Sequence, residues 1–132
     1  ILDSSQIPSL DLATDVHGSL TTDSLTTSDA VFTGAIKEQQ YSLTGTAIDP
    51  ANGTIQYKTL ASNTTFTESL ADGNSVTLMI TADSAYTVTW PTITWMGTDS
   101  AAVAPALQIT GYTGVVLFQM NGIVYGSCMN PA

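Results

Sequence analysis

The sequence predicts an all-β protein, with a thin fibrous N-terminal stretch and an antiparallel, β-sandwich-like head that associates with copies of itself. Three observations support this prediction. Apolar and polar residues alternate with a period of two through much of the chain after residue 38, as in half-buried strands. Turn signals rich in Gly, Asn, Asp and Pro separate these segments. The 132 residues have a net charge of −9, yet only 10% of them are charged, which is unlike the surface of a solvated monomer.

Residues 1–37 are predicted to form an extended shaft or linker segment. The first 36 residues hold five of the eleven acidic residues and no basic residue. Their apolar residues stand singly, without the i, i+3, i+4 spacing of a helix. Such a segment buries its apolar side chains only if several copies wind around one axis; a flexible acidic linker is the alternative. The candidates for such an interface are Leu20, Leu25, Phe32 and Ile36.

Residues 38–132 are predicted to form the head. Segment 75–81 places Val, Leu and Ile on one face and Thr and Met on the other. Segment 85–90 alternates in the same way, and the short link between the two predicts a hairpin. The clearest hairpin signal is Asn121-Gly122 between two apolar runs, where a type I′ turn is expected. Residues 97–111 are expected to form a loop.

The C-terminal part of the chain is almost free of charge. From Ser84 to Ala132, 49 residues carry a single charged side chain, Asp99. An obligate interface resembles a protein core cut in half, so we expect much of this segment to be covered by another copy of the chain. The interface candidates in the head are Val116, Phe118 and Val124.

Several classes of function are not expected from the composition. Two lysines against eleven acidic residues cannot neutralise a phosphate backbone, so nucleic acid is not an expected partner. No apolar run approaches the roughly 18 residues of a membrane span, so membrane insertion is not expected. No Gly-rich phosphate loop is present and no cofactor is expected. The lone Cys128 is expected to be a small core residue.

Enzymatic activity is not expected either. The only histidine, His17, lies far in sequence from Cys128, so no nucleophile has a base beside it. The carboxylates of the head fall in turn signals or polar loops rather than in a pattern that suggests a pair across a cleft. The candidates for such a pair are Asp49, Glu68, Asp72, Asp83 and Asp99.

Three segments of the head carry a family resemblance. They are GNSVTLMITADSAYTVTWPTITWMG (73–97), GYTGVVLF (111–118) and IVYG (123–126). Together they resemble the C-terminal domain of bacteriophage tail-fibre proteins, particularly those of marine and cyanobacterial phages. Residues 34–38 and 48–56 are similar to the part of those proteins that precedes the terminal domain.

The resemblance implies a homotrimeric, non-enzymatic virion structural protein, the distal part of a tail fibre, which attaches to the host surface. Its expected partners are itself, other virion proteins and a host-surface glycan or protein. Two alternatives remain open at this point. One is an architectural head fibre or capsid decoration protein without receptor binding, and the other is a carbohydrate-binding module.

Aromatic residues are the best candidates for receptor contact, because sugars stack their apolar faces on such rings. Trp95 and Tyr112 flank the loop 97–111, which contains Asp99. Trp90 is the fourth candidate, although the alternation of its strand also favours a place in the core.

In a parallel trimer, residues near the axis occur three times. Three copies of His17 could then hold a metal ion, and three copies of Asp15 or Asp23 a cation. An isolated histidine is more often simply exposed, so no metal site is predicted.

Overall fold

The computed structural model describes residue 26, residues 28–97 and residues 103–129. About 43% of the described residues lie in strands, with almost no helix, so the all-β prediction is confirmed. The strands are β1 (Gln40–Ser42), β2 (Ala47–Ile48), β3 (Ile55–Leu60), β4 (Thr64–Thr65), β5 (Thr67–Glu68), β6 (Ser75–Ala82), β7 (Val88–Thr89), β8 (Thr94–Trp95), β9 (Tyr112–Met120) and β10 (Ile123–Cys128).

The strands form one large sheet and two small ones. The large sheet has six strands in the order β1-β3-β6-β9-β10-β8, and the small sheets pair β2 with β5 and β4 with β7. All these strands belong to the unit Ile36–Ala132. A short 3₁₀ helix, Pro50–Asn52, precedes β3, and the Asp49 side chain accepts a hydrogen bond from the Ala51 amide at its start.

The expectation of an antiparallel head is wrong. Among the described residues, only β6–β9 and β9–β10 pair antiparallel, and the other five strand pairs are parallel. Parallel neighbours require a crossover connection, which is usually a helix. Here irregular segments and the short strands β2, β4 and β5 form the crossover connections. Their sequences have no periodic pattern that predicts this role.

The hairpin expected between residues 75–81 and 85–90 is also wrong. Strand β6 already has β3 and β9 on its two edges, so no edge is left for the segment that follows it. That segment instead joins one of the two small sheets, in which β7 pairs with β4.

The hairpin at Asn121-Gly122 is confirmed. Strands β9 and β10 pair antiparallel with Met120 opposite Ile123. Both turn residues have positive φ, 52° at Asn121 and 72° at Gly122, as a type I′ turn requires. The Gly122 amide also donates to Asp72 Oδ1 at 2.8 Å.

One hydrophobic core joins the three sheets. The alternation predicted for 75–81 is confirmed, because Val76, Leu78 and Ile80 are buried. The small sheets and the loops beside them contribute further buried side chains, and Cys128 is half-buried. The core consists of Leu43, Ile48, Leu60, Phe66, Leu70, Val76, Leu78, Ile80, Ala82, Val115 and Leu117.

Candidate functional site

The large sheet has two distinct ends. The chain enters the sheet through Gln39, whose carbonyl oxygen lies against Gly53 just before β3. We call this the proximal end. The β9–β10 turn lies at the same end, because Phe118 pairs with Ser75 at the start of β6. The opposite, distal end is where β3 and β6 finish and β9 begins.

Tyr112 is the exposed aromatic residue at the distal end. It opens β9 opposite Thr81, which in turn lies opposite Thr59. The hydroxyls of Thr59 and Thr81 are hydrogen-bonded at 2.9 Å, and 59% of Tyr112 is exposed. The end of the sheet therefore carries a ring beside two hydroxyls in a row without charge.

The two tryptophans take a different position. Trp90 stacks on the buried Phe66 with ring centroids 5.4 Å apart, and it meets Trp95 edge-on at 5.3 Å. Both tryptophans are partly buried and pack against the core. They stabilise the junction between the sheets, and Tyr112 is the receptor candidate whose ring is exposed. Asp99 lies outside the described residues.

A titratable pair lies just beyond β6, also at the distal end. The Tyr86 hydroxyl donates a hydrogen bond to Asp83, which raises the pKa of the phenol above its usual value near 10. Desolvation and the negative charge of Asp83 act in the same direction, and a hydrogen bond with Ser84 opposes them.

The interface candidates of the head differ in exposure. Val116 and Phe118 are half-buried on the side of the large sheet that faces away from the core. Val124 points the other way and is only 7% exposed within a single chain, so it needs no partner to cover it.

Of the N-terminal candidates, Phe32 and Ile36 are 64% and 66% exposed. Two others, Leu20 and Leu25, lie outside the described residues. The same holds for the axial ion candidates His17, Asp15 and Asp23.

Carboxylates of the head bind nearby backbone. Glu68 accepts from the Leu70 amide at 2.7 Å. Asp72 lies in the turn 71–74, which the Asn74 amide closes on the Ala71 carbonyl, and its side chain accepts a hydrogen bond from the Gly122 amide. Within the described ranges, no three His, Cys, Asp or Glu side chains are grouped as they would be to hold a metal ion.

Two shallow depressions flank the β9–β10 turn at the proximal end. One, of about 350 Å³, is lined by Asp72, Asn74 and Phe118 among others. The second, of about 410 Å³, is lined by Glu68, Thr94 and other residues. Each has one carboxylate in its lining, so neither holds the carboxylate pair of a glycosidase.

Comparisons with family models, curated proteins and solved structures found no match to this chain. In the part of the chain that the structure describes, no helix has the length and apolar character to cross a membrane.

Proposed function

We propose that this chain is the distal part of a phage tail fibre, a non-enzymatic virion protein that attaches to the host surface as a homotrimer. In this proposal the small sheets and the large sheet form a sandwich-like head at the end of a fibrous N-terminal stretch. The resemblance of residues 73–97, 111–118 and 123–126 to tail-fibre C-terminal domains supports it.

The observation that carries the proposal is the position of Tyr112. The chain enters at the proximal end, so the distal end would be the one presented to a host. An exposed ring beside the Thr59–Thr81 hydroxyl pair offers an apolar surface and hydrogen-bonding groups together. A sugar presents the same combination, an apolar ring face edged by hydroxyls.

The negative charge of the chain limits the class of receptor that it could bind. The whole chain has two cationic residues and a net charge of −9, so a strongly anionic receptor would be repelled. An uncharged glycan or a neutral protein surface fits the row at the distal end. Three copies would bind together, and weak contacts at three sites can combine into firm attachment.

Cell adsorption tests the proposal. The fluorescently labelled full chain is incubated with a panel of marine bacteria that includes cyanobacteria, and bound protein is counted by flow cytometry. Replacing Tyr112→Ala should lower binding to a host strain by about tenfold or more, because stacking on an aromatic residue contributes on the order of 1 kcal/mol at each of several sites.

The matched variant Gln119→Ala removes a side chain shared by the two proximal depressions and should leave binding unchanged. Loss of binding in that variant, with Tyr112→Ala still active, would overturn the distal site. No binding to any strain, together with a location on the capsid in electron micrographs, would favour the architectural alternative.

A further inference from the structure

The side of the large sheet that faces away from the core, which we call the outer face, is largely apolar. Successive side chains of a strand point to opposite faces of the sheet. The pairing register aligns the outward-pointing residues of neighbouring strands in rows across the sheet. One row joins Ile55, Thr77 and Val116. The large apolar residues of the outer face are Ile55, Tyr57, Met79, Tyr112, Val116, Phe118, Met120, Ile123 and Tyr125.

These side chains are only partly covered within a single chain, where Met129 lies over Gly114 beside Met79. Tyr57 is 45% exposed and Met120 is 51% exposed. Phe118 and Tyr125 stack on each other with centroids 5.4 Å apart, and both remain only half-buried. A contiguous apolar patch of this kind marks a protein interaction surface rather than the scattered exposure of a monomer.

The charge distribution indicates what covers the outer face. None of its described positions carries a charged side chain. Lys58 alternates to the other side, where its ammonium group donates to the carbonyls of Leu43 and Thr44. A charged partner would find no counter-charge here.

A second copy of the chain fits this surface. Copies that each carry a net charge of −9 repel one another wherever their acidic residues approach. The strand positions of the outer face hold no charged side chain, and Asp72 borders the face at its edge beside Phe118 and Met120. Contact through the middle of the face therefore avoids the desolvation cost of a buried charge. Closed symmetric assemblies of identical chains commonly use such self-compatible patches.

We propose that copies of this chain pack against one another through the outer face of the six-stranded sheet. The copy number of three rests on the proposed function, whereas the choice of face rests on the exposed, uncharged rows. In a trimer, each outer face would turn toward a common axis. The row of Thr59, Thr81 and Tyr112 lies at the distal edge of the same face, and the proposed contact uses the rows nearer the proximal end.

Mass in solution tests the proposal. Light scattering after size exclusion should give about 41 kDa for the wild-type chain, three times 13.8 kDa. In Phe118→Glu and in Tyr57→Glu, a charge must be buried at each contact, so we expect a shift toward 13.8 kDa and a dissociation constant raised by about 30-fold or more.

A control variant separates the effect of the face from that of added charge. Val103→Glu places a new carboxylate at a residue that is 74% exposed and lies outside the sheet, and its mass should stay that of the wild type. Circular dichroism and thermal melting confirm that each variant is folded.

The possible outcomes are distinct. A wild-type mass of 13.8 kDa at about 100 µM would overturn both the outer-face contact and the proposed trimer. A wild-type trimer that persists in folded Phe118→Glu and Tyr57→Glu would overturn only the choice of face. Dissociation of these two variants with a stable Val103→Glu trimer would establish the outer face as the contact.

Discussion

Gln56 shows that the buried face of a strand is not always the face with the apolar side chains. It is fully buried, while its neighbours Ile55 and Tyr57 point to the outer face. Its amide nitrogen donates to the Asp49 and Gly53 carbonyls at 2.6 and 2.8 Å. These bonds satisfy the buried amide nitrogen and tie β3 to the turn before it, whereas the buried Oε1 of Gln56 has no hydrogen-bond partner among the described residues. The apolar residues of β3 are thereby left on the side where we place the contact between copies.

At the same scale, the Tyr86 phenol should ionise at a higher pH than an ordinary tyrosine. Its hydrogen bond to Asp83 raises its pKa above the usual value near 10. Ultraviolet difference absorbance at 295 nm, recorded against pH for the wild type and for Tyr86→Phe, isolates the ionisation step of Tyr86. Replacing Asp83→Ala removes both the bond and the nearby charge, so this step should move to lower pH.

The sign of the effect on stability follows from proton binding. The unfolded chain loses the Tyr86 proton near pH 10, whereas the folded chain still holds it there. The contribution of Tyr86 to the free energy of unfolding is therefore fully present below about pH 10. It is lost as the pH rises through the higher folded-state pKa. A late tyrosine step that is unchanged in Asp83→Ala would contradict the assigned cause.

At the scale of elements, the β9–β10 hairpin is specified by residues close together in the sequence, whereas the parallel strand pairs depend on residues far apart. Asn121-Gly122 specifies its own turn, because both residues tolerate positive φ and the neighbouring runs alternate. The loop 71–74 then holds the hairpin from outside: the Gly73 amide donates to the Gln119 carbonyl, and the Gln119 amide donates to Asn74. Local sequence and long-range contacts thus agree at this point.

Replacing Gly122→Ala should lower the free energy of unfolding by about 1–2 kcal/mol, because φ is 72° there and an L side chain is strained in that region. Urea denaturation followed by fluorescence of the two tryptophans measures the change. The control is Gly45→Ala, since a Cβ at Gly45 meets nothing within 4 Å. Equal losses in the two variants would show that the turn conformation is not the cause.

At the scale of the whole molecule, the balance is between a large negative charge and an uncharged contact face. The chain has eleven acidic and two basic residues, and repulsion between copies opposes assembly. The outer face lets the copies meet through apolar surface, whose burial contributes roughly 25 cal/mol per Å². Assembly is then governed by apolar area against long-range repulsion.

Salt should therefore strengthen association between copies. Sedimentation equilibrium at about 20 mM and about 500 mM NaCl should show a lower dissociation constant at the higher concentration, because the Debye length falls from tens of ångströms to a few. Weaker association in high salt would mean that charge pairs hold the contact, and would contradict an apolar outer face.

Part of the candidate site could be read from local patterns. The sequence predicts Tyr112 as a contact residue because it is an aromatic residue beside a loop. It predicts Val116 and Phe118 as interface residues because they lie in an uncharged apolar run. The pairing of Thr59 with Thr81, and the alignment of Tyr57 and Met79 with β9, could not be foreseen. These neighbours are more than twenty residues apart in sequence and are brought together only by the register of the parallel β3–β6 pair and the antiparallel β6–β9 pair.

The sequence by itself determined the strand character of the chain, the face of β6 that is buried and the β9–β10 turn, since each depends on side chains within a few residues of one another. Only the tertiary structure decided which strands are neighbours, that Trp90 and Trp95 pack on the core while Tyr112 stays exposed, and that an uncharged apolar face is left uncovered. Those outcomes depend on competition among distant segments for the same edges and the same core, and alternation along a strand is compatible with many pairings.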